Sequence, residues 1–448
     1  MKTIELEENI ERILRRLQAK GKGYIVGGYV RDKLLGIAPG DCDFCTDLSL
    51  DQVVSLFRDC SPAVVGKAYS VVKITLGGQS YDIARMRKDV SFTENRKITG
   101  VEFVSDILED LRRRDFTVNA IAFDGKNFLF GDPLCEADIA SNTIRFIGPS
   151  EKRIEEDPLR MLRAVRILVE KGMDRIDPRS LAAICANAGR LSLISKERIR
   201  DEFTRILCSS KPKTGFLYLI KTGLIEFIAP ELLELLRFAE KHPEIRKDVL
   251  GHTLLVLEKV PEEPVMRLAA LFHDCGKPAA YSNGPTGPHF YGHERTGAEI
   301  AKACLENLRY SGEVIRSVTD LVREHLSLWH IRSKSAARKL LNRVGVKTSL
   351  QLIALARADI TGSFPPYDFS KIEEAAQLIR EVLSDSEPFS LKDLAINGRD
   401  LRRLGFKSGP EMGSVLQNCL DLVLENPEAN QRESLLEYAI EQFKKLSD

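Results

Sequence analysis

Residues 27–46, GGYVRDKLLGIAPGDCDFCT, decide the fold of this chain, because they combine a glycine pair, an Arg-Asp pair and an Asp-x-Asp. In a strand, residues i and i+2 project from the same face, so Asp41 and Asp43 place two carboxylates side by side at a sheet edge. Two such groups can hold Mg²⁺ ions, which keep open positions for substrate phosphates. The pattern therefore predicts a phosphoryl-transfer site.

The glycine pair supplies a second feature of such a site. Gly27 and Gly28 follow the apolar residues 24–26 and let the backbone approach a phosphate closely. Residues 30–35 can then open a helix whose N-terminus favours an anion. Alone, an Asp-x-Asp is most often a solvated turn, and a lone glycine pair is weaker evidence still. The combination within one short stretch favours phosphoryl transfer.

The combination resembles motif A of the class II tRNA nucleotidyltransferases, the CCA-adding enzymes, and of the closely related bacterial poly(A) polymerases. The resemblance implies that Asp41 and Asp43 are catalytic residues that bind Mg²⁺. It also implies that four residues serve the nucleotide triphosphate: Gly27, Gly28, Arg31 and Asp32.

Composition limits the class of protein. At 448 residues the chain is too long for one core and is expected to form about three or more domains. Charged residues make up 29% but the net charge is only +1, so a nucleic-acid partner would have to contact local clusters of Lys and Arg. Nine cysteines without a regular spacing framework predict reduced thiols in a cytoplasmic protein.

The N-terminus predicts neither export nor membrane insertion. Residues 1–17, MKTIELEENIERILRRL, read as an amphipathic charged helix, since no apolar run follows the positive charge as in a signal peptide. No stretch approaches about eighteen uninterrupted apolar residues, so no membrane span is expected. No feature indicates a stable protein partner.

A third carboxylate lies farther along the predicted head. A short helix is expected near residues 50–58, with strands near 63–65, 70–76 and 80–86 and a hairpin turn at residues 77–78. Asp82 lies in the last of these strands, where it is either an ordinary edge-strand residue or a third metal ligand of the catalytic centre. The resemblance favours the second role and implies that Arg87 binds substrate. The polar residues 88–110 are expected to form a mobile loop near the site.

Residues 111–122, LRRRDFTVNAIA, resemble motif B of the same family. Its Arg-Asp pair contacts the ribose and phosphates of the incoming nucleotide, so the resemblance assigns substrate binding to Arg114, Asp115 and Asn119. A planar guanidinium suits this role because it can bind phosphate in a bidentate manner. The alternative, a solvated basic helix start, would be favoured by the three arginines alone. Residues 131–148 resemble motif C but carry Glu136 where the family has Gly.

Residues 156–166, EDPLRMLRAVR, predict a helix start, with Asp157 as N-cap and Pro158 at the first helical position. An ordinary helix start accounts for both residues. On a helical wheel one arc is apolar: Met161, Leu162, Val165, Leu168 and Val169. The opposite arc offers three guanidinium groups toward the head, those of Arg160, Arg163 and Arg166, which are predicted to bind substrate.

This stretch matches the family's motif D, EDxxR, in which the Asp and the Arg hydrogen-bond the Watson-Crick edge of CTP or ATP. The resemblance assigns that role to Asp157 and Arg160. A carboxylate accepts from the exocyclic amine that cytosine and adenine share, and a guanidinium donates to a ring nitrogen or carbonyl. Uracil and guanine present a carbonyl there, so the pairing would be lost. Residues 194–207 resemble motif E, a largely structural neck helix.

Six of the seven histidines lie between His252 and His330. With the carboxylates they resemble the ligand set of an HD domain, a helical metal-dependent phosphohydrolase module. The resemblance assigns a divalent metal, of an identity that spacing does not fix, to His252, His273, Asp274 and Asp359. His293 and His325 belong to the same constellation. A single buried histidine would more simply be a satisfied core residue.

Residues 396–416, INGRDLRRLGFKSGPEMGSVL, resemble the C-terminal tail motif of the family and predict a grip on a phosphate backbone. Its basic residues are Arg399, Arg402, Arg403 and Lys407.

Taken together, the motifs predict an α+β nucleotidyltransferase head, polymerase-beta-like with a small mixed sheet, followed by an all-α neck, body and tail containing an HD-type module. The expected parts are a head at residues 1–145, a neck and body for base recognition and RNA binding at 146–245, an HD domain at 246–365 and a tRNA-binding tail at 366–448.

The expected reaction adds C, C and A to the 3′ end of tRNA from CTP and ATP, with two Mg²⁺ ions and release of pyrophosphate. Alternatives within the class are a poly(A) polymerase and an enzyme that adds only CC or only A. An alternative from another class is that the HD phosphohydrolase is the main activity and acts on RNA ends. A non-catalytic RNA-binding protein is a third possibility, for which the sequence offers no feature.

Overall fold

The computed structural model describes residues 4–65, 70–92, 98–242, 248–285, 287–406 and 409–447. It divides into two units, Met1–Pro230 and Glu231–Asp448. The predicted order, a mixed sheet with helices followed by a mostly helical part, is confirmed.

The first unit contains all of the larger sheet. Its strands are β1 (Gly23–Val26), β2 (Asp43–Thr46), β3 (Ala63–Val65), β4 (Val71–Leu76), β5 (Gln79–Arg85), β6 (Arg87–Phe92), β7 (Ile98–Phe103), β8 (Ile121–Phe123), β9 (Phe128–Phe130), β10 (Thr143–Ile144) and β11 (Arg175–Ile176). Its helices are α1 (Glu8–Gln18), α2 (Gly28–Leu35), α3 (Leu50–Leu56), α4 (Ile107–Arg112), α5 (Cys135–Ala140), α6 (Ser150–Glu156), α7 (Arg160–Glu170), α8 (Pro178–Asn187), α9 (Lys196–Leu207), α10 (Pro212–Lys221) and α11 (Ile225–Ile228).

Seven strands form a mixed sheet in the order β3-β4-β5-β2-β1-β8-β9. The β2–β5 pair is parallel and the other neighbouring pairs are antiparallel. The predicted hairpin turn between β4 and β5 is confirmed, because Gly77 and Gly78 have φ values of 61° and 78°, a region that glycine enters without strain. This topology places β2 in the middle of the sheet and not at its edge, and β2 begins at Asp43, so Asp41 precedes the predicted strand.

Apolar residues on alternating strand positions and on one helix stripe build the core under this sheet. Ile25, Phe44 and Ile83 are fully buried on the central strands. The predicted amphipathic N-terminal helix is α1, which buries Ile10, Ile13, Leu14 and Leu17. Each buried side chain of this size stabilises the fold by about 1.5–3 kcal/mol. The core therefore fixes the central strands that carry the carboxylates.

Two local predictions are wrong. The segment at residues 88–110 is not one long loop: β6 and β7 pair antiparallel and α4 follows them, while residues 93–97 lie outside the described residues. Residues 98–103, ITGVEF, are rich in strand formers, which explains the pairing. Asp157 is also not the N-cap of α7, since its Oδ1 accepts from Leu159 N at 3.1 Å in a turn and the helix begins at Arg160.

The second unit is mostly helical. Its helices are α12 (Leu233–Lys241), α13 (Val249–Lys259), α14 (Pro264–Phe272), α15 (Lys277–Ala280), α16 (His293–Asn307), α17 (Gly312–Glu324), α18 (Lys334–Thr361), α19 (Ser370–Ser384), α20 (Gly398–Arg403), α21 (Pro410–Glu425) and α22 (Arg432–Ser447). Gly345 interrupts α18 with φ 78° and ψ 171°. A short hairpin, β12 (Ser282–Gly284) and β13 (Gly287–His289), departs from the expected all-helical architecture. Among the helices described, none combines the length and apolar character needed to cross a membrane.

Candidate functional site

Three carboxylates meet where β2 and β5 run side by side. In the register of the parallel pair Asp43 lies opposite Asp82, and Asp41 precedes β2 by two residues. Lys73 on β4 contacts Asp82, with 3.4 Å between Nζ and Oδ1. The predicted placement of Asp82 on a strand adjacent to the Asp-x-Asp is therefore confirmed.

The pKa of Asp43 reflects its burial and the nearby negative charges of the other two carboxylates. Desolvation raises the pKa of Asp43, Arg114 opposes that shift, and the negative charges of Asp82 and Asp41 add to it. A divalent cation would relieve this repulsion and is matched by oxygen ligands of this kind. The donor set of Asp41, Asp43 and Asp82 therefore fits a divalent metal.

The turn at Gly27 brings the start of α2 close to Arg114. Gly27 has φ +72°, and a Cβ at this position would lie 2.7 Å from Arg114 Nη1. Gly27 N–H donates to Ile121 O at 2.9 Å, which ties the turn to β8. Only glycine combines this backbone conformation with such a close approach. The predicted need for glycine has this local cause.

A buried carboxylate, Asp110, holds the arginines of motif B. Its Oδ1 accepts from Arg113 Nε at 2.9 Å and Nη2 at 2.7 Å, and its Oδ2 accepts from Arg114 Nη2 at 3.2 Å. Backbone N–H of Arg87 donates to Oδ1 at 3.2 Å. Burial alone would raise the pKa of Asp110, but the two guanidinium groups outweigh burial and lower it. Sequence reasoning missed Asp110, although an acid three and four residues before a pair of arginines on a helix was a usable signal.

Asp115 joins α7 to the head through Arg163. Its Oδ2 accepts from Arg163 Nε at 2.9 Å and Nη2 at 2.6 Å, while its Oδ1 accepts from Asn119 Nδ2 at 3.0 Å. Burial opposes ionisation, but Arg163 and Asn119 together lower the pKa of Asp115 to about 2. Asn119 Oδ1 in turn accepts from Arg31 Nη1. Motif B and α7 are thus one hydrogen-bonded network.

The Arg-Asp pair of α2 is buried and fully engaged. Asp32 Oδ1 accepts from Arg31 Nε at 2.8 Å, and its Oδ2 accepts from Lys171 Nζ at 2.9 Å. Both Asp32 oxygens therefore orient cations that face the cavity described next. Lys171, at the C-terminal end of α7, was not among the predicted residues.

The side chains of Asp157 and Arg160 form hydrogen bonds with other residues and not with each other. Asp157 Oδ2 accepts from Arg198 Nη2 at 2.9 Å. Arg160 Nη1 donates to Glu156 Oε2 at 2.7 Å and to Arg153 O at 3.0 Å. Both residues nevertheless line the same cavity.

Arg166 does not present a free guanidinium toward the head as the helical wheel predicts. It is 7% exposed, and its Nε and Nη1 donate to Glu202 Oε2 and Glu170 Oε2, both at 2.6 Å. The partner Glu202 lies on α9, which packs against α7, so the wheel could not reveal it. The apolar arc of the predicted helix, in contrast, is buried as expected.

These groups surround one cavity of about 580 Å³. Nine Arg or Lys side chains and six carboxylates line it, so its net charge suits a polyphosphate. The predicted residues that line it are Gly27, Gly28, Arg31, Asp32, Asp41, Asp43, Arg114, Asp115, Asn119, Asp157, Arg160, Arg163 and Arg166. Asp82 and Arg87 are not in the lining. The charged lining residues outside the predicted set are Arg113, Glu170, Lys171, Arg198 and Arg205.

A second cluster, the histidine cluster, lies within the second unit and consists of His252, His273, Asp274, His293, His325 and Asp359. Asp274 contacts each of the four histidines, with nitrogen to oxygen distances of 3.3–4.0 Å. The predicted residues His252, His273 and Asp274 form one group that could hold a metal ion. Asp359 Oδ1 lies 2.8 Å from His252 Nε2 and so joins that group.

Burial and neighbouring charges shift the pKa values of two of these histidines in opposite directions. Desolvation would lower the pKa of His273, but Asp274 and Asp359 outweigh it and raise the pKa. For His325, burial and the nearby His273 lower the pKa to about 4. Neutral imidazole is the form that binds a metal.

Comparison with known protein families gives matches in both units. Residues 23–145 match the Poly A polymerase head domain, residues 175–236 the probable RNA and SrmB-binding site of polymerase A, and residues 295–439 the putative tRNA nucleotidyltransferase domain 2. An HD domain is not among these matches.

Relatives span almost the whole chain. A CC-adding tRNA nucleotidyltransferase of Thermus thermophilus is 30% identical over 88% of each chain, and a CCA-adding enzyme of Lactiplantibacillus plantarum is 29% identical over 95% of this chain and 94% of its own. A crystal structure of the Bacillus stearothermophilus CCA-adding enzyme in complex with CTP superposes with a TM-score of 0.72 at 25% identity, covering 99% of both chains. The resemblance seen in the motifs therefore extends over the full length, and the chain belongs to the tRNA nucleotidyltransferase and poly(A) polymerase family, whose members depend on a divalent metal.

Proposed function

We propose that this chain adds C, C and A to the 3′ end of tRNA, using CTP and ATP. The observation that carries the proposal is the cavity of the first unit, in which Asp41 and Asp43 face a cationic wall and the EDxxR pair, Asp157 and Arg160. The full-length relatives named above carry this activity or its CC-adding part in their names. We also propose the cytoplasm as its location.

The metal of this site would be Mg²⁺, held by Asp41, Asp43 and Asp82. When bound, such ions lower the pKa of the attacking hydroxyl and neutralise charge on the leaving pyrophosphate. The chain's own groups do the positioning. Arg114 and the amides at the start of α2 would bind the phosphates, with Arg31 and Asp32 in support, and Asp115 and Asn119 would hold the ribose.

Base choice would be made by Asp157 and Arg160 without a nucleic-acid template. A carboxylate and a guanidinium side by side match the amine and the ring acceptor that cytosine and adenine share. Both side chains would exchange their present partners, Arg198 and Glu156, for the base. Arg163 would not contact the base itself but would orient Asp115, to which it donates a hydrogen bond.

Arg160→Ala should relax nucleotide discrimination more than it weakens triphosphate binding. One good bidentate contact is worth about 1–3 kcal/mol of discrimination, so UTP misincorporation relative to CTP is expected to rise about 5- to 150-fold. Single-turnover incorporation of each of the four nucleotides measures this, with the exposed Arg15→Ala as control. If UTP and GTP stay excluded as strictly as in the wild type, Arg160 is only a helix-surface arginine.

Three other outcomes of the reaction compete with CCA addition. The Thermus thermophilus relative is named a CC-adding enzyme, and the head family is shared with poly(A) polymerases. Incubation with tRNA lacking CCA, lacking CA and lacking A, with each nucleotide separately and with CTP and ATP together, separates them by product length. Three added residues support the proposal, two added C residues or only a terminal A replace it by a partial enzyme, and a long A tail replaces it by a poly(A) polymerase.

The remaining parts would bind the body of the tRNA. We propose the four-part division at residues 1–145, 146–245, 246–365 and 366–448, with the last part gripping the phosphate backbone. Arg399, Arg402 and Arg403 are exposed on or beside α20, as this grip requires, while Lys407 lies outside the described residues. Exposed arginines near a helix suit phosphate contacts.

The histidine cluster supports a second activity. We propose that His252, His273, Asp274 and Asp359 hold a divalent metal and that this centre hydrolyses phosphate esters, including 2′,3′-cyclic ends of RNA. His252 and His273 are 5% and 1% exposed, and their Nε2 atoms lie among carboxylate oxygens. Metal-bound water is a nucleophile near neutral pH.

His273→Ala combined with Asp274→Ala should eliminate hydrolysis of a cyclic phosphate or of a p-nitrophenyl phosphate ester without slowing CMP addition. The two activities use different units of the chain, so one can be lost alone. Hydrolysis is measured with Mg²⁺, Mn²⁺ and Ni²⁺, and the exposed His330→Ala is the control. Wild-type protein that binds no divalent metal here and hydrolyses none of these substrates would reduce the module to a structural spacer.

A further inference from the structure

Three charged residues of the central sheet lie side by side in one row. In the registers of the paired strands, Asp43 on β2 lies opposite Asp82 on β5, and Asp82 lies opposite Lys73 on β4. Residues opposite each other on neighbouring strands project from the same face of a sheet. The side chains of Lys73 and Asp82 are 46% and 41% exposed, so this end of the row faces solvent. Lys73 therefore adds an accessible cation to the row of carboxylates.

Lys73 and the nucleotide cavity lie on opposite sides of Asp43. The strand order is β3-β4-β5-β2-β1-β8-β9, and the cavity takes part of its lining from the turn after β1 and from residues just before β8. Asp41 and Asp43 belong to that lining, whereas Asp82 and Lys73 do not. The carboxylates therefore separate a nucleotide side, toward β1 and β8, from an acceptor side, which we define as the exposed face of β5 and β4 around Asp82 and Lys73.

The geometry of phosphoryl transfer gives the acceptor side a function. The attacking and the leaving oxygens lie roughly in line, on opposite sides of the reacting phosphorus. In the proposed reaction the phosphates occupy the cationic cavity, so pyrophosphate leaves on the nucleotide side. The attacking 3′-hydroxyl must then come from the other direction. The 3′ end of the acceptor RNA is accordingly expected over β5 and β4, next to Lys73.

The sheet face around Lys73 is open enough for an RNA strand. Thr75 lies two residues farther along β4, on the same face as Lys73, and is exposed. All three residues of β3, the next strand outward, are exposed as well. An RNA strand can therefore approach Lys73 over this face without displacing the hydrophobic core.

The contact between Lys73 and Asp82 is one that a bound metal would replace. Lys73 Nζ lies 3.4 Å from Asp82 Oδ1, and that buried oxygen makes no hydrogen bond with the residues described. Burial raises the pKa of Asp43, and the charge of Lys73 is among those that oppose this shift. An ammonium group and a divalent cation compete for the same carboxylates. A metal at Asp43 and Asp82 would leave Lys73 Nζ available for a phosphate oxygen, which suits an ammonium group.

We propose that Lys73 is a positioning residue that binds the last phosphodiester of the acceptor RNA and so holds the attacking 3′-hydroxyl beside Asp82. The proposal rests on the nucleotidyl transfer proposed above. Lys73 acts through the RNA backbone and contacts neither the base nor the triphosphate of the incoming nucleotide. Its effect should be the same for CMP and AMP addition. Most of the affinity for tRNA still comes from distant basic residues, so the effect of this one contact is modest.

Lys73→Ala should raise the KM for tRNA lacking CCA about 2- to 10-fold, the factor that one net hydrogen bond contributes. The kcat and the KM for CTP should be nearly unchanged, because a contact made equally before and in the transition state acts on binding alone. Lys73→Arg keeps the charge and should restore most of the affinity. Lys126→Ala is the matched control, since Lys126 is exposed in the turn between β8 and β9, at the other end of the sheet.

Direct binding of tRNA lacking CCA, in Mg²⁺ without nucleotide, provides a readout other than activity. The slope of log affinity against log salt concentration should fall by about 0.7 in Lys73→Ala, as expected for the loss of one phosphate contact to a single strand. Lys126→Ala should keep the slope of the wild type. An unchanged slope together with an unchanged KM for tRNA overturns the proposal. A lower Mg²⁺ concentration for half-maximal rate with an unchanged KM also overturns it, because Lys73 would then only compete for the metal site.

A modified tRNA locates the contact on the RNA. When the last phosphodiester is replaced by an uncharged methylphosphonate, the wild type and Lys73→Ala should have the same KM for this tRNA, because the two changes remove the same interaction. If Lys73→Ala weakens use of the modified tRNA by the full factor, the contact lies elsewhere and the proposal is wrong. Wild-type protein that adds no CMP refutes nucleotidyl transfer itself, whereas normal wild-type addition with an unaffected Lys73→Ala refutes only the role of Lys73.

Discussion

Asp43→Ala should reduce CMP incorporation into tRNA by about three orders of magnitude or more. Metal ions stabilise the charge of a phosphoryl-transfer transition state by several kcal/mol, and each 1.4 kcal/mol is a factor of ten in rate. Asp43 is central to this because it lies opposite Asp82 and two residues after Asp41. Asp41→Ala should have a similar effect. The affinity of both variants for tRNA should be nearly that of the wild type, because tRNA binding depends on distant basic residues.

The same substitution should leave the fold intact. The pKa of Asp43 is raised, so the folded state disfavours its charged form, and removing that charge relieves repulsion from Asp82 and Asp41. We therefore expect an unchanged or slightly higher melting temperature in the absence of metal. Single-turnover incorporation and thermal unfolding are measured together, with the exposed Asp51→Ala as control. Near-normal incorporation by either carboxylate variant contradicts the metal assignment.

Sequence reasoning succeeded where a short stretch of chain contains all the groups involved. The Gly27 turn and the Gly77-Gly78 hairpin follow from local backbone preferences, and the structure has both. Of the Asp-x-Asp only Asp43 lies on the predicted strand, because β2 begins at that residue. Asp82 was harder, because its position beside Asp43 depends on the parallel β2–β5 register. Here the resemblance to a known family supplied what local chemistry could not.

Partners that are far apart in sequence account for most of what was missed. Lys171 contacts Asp32 from 139 residues away, and Arg166 is paired with Glu202 on another helix. Periodicity predicts which side of a helix is apolar but not which carboxylate covers an arginine on the other side. The strands at residues 87–92 and 98–103 were missed for a related reason, since the pairing between two strands is not visible in the sequence of either one.

Asp110 is the residue outside the predicted set whose loss should matter most for stability. It is fully buried, and its two oxygens accept three hydrogen bonds from the guanidinium groups of Arg113 and Arg114. Asp110→Ala leaves two largely buried guanidinium groups without that partner. Removing one member of a buried ion pair costs about 3–5 kcal/mol, a large share of the 5–15 kcal/mol that typically holds a domain folded.

Asp110→Ala should therefore lower the free energy of unfolding of the first unit by about 3–5 kcal/mol and also weaken nucleotide binding, because Arg114 loses its orientation toward the cavity. Asp110→Asn keeps the shape of the side chain but not its charge, so its free energy of unfolding should lie between those of Asp110→Ala and the wild type. Chemical denaturation and the KM for CTP measure the two effects, with Glu102→Ala, exposed on β7, as control.

The lowered pKa of Asp110 gives a further check: the stabilisation by this carboxylate is present above the ordinary carboxyl pKa and is lost as pH falls through the lowered value. The stability difference between wild type and Asp110→Ala should thus shrink in acid, and a difference that is small at neutral pH or independent of pH would contradict the role given to this carboxylate.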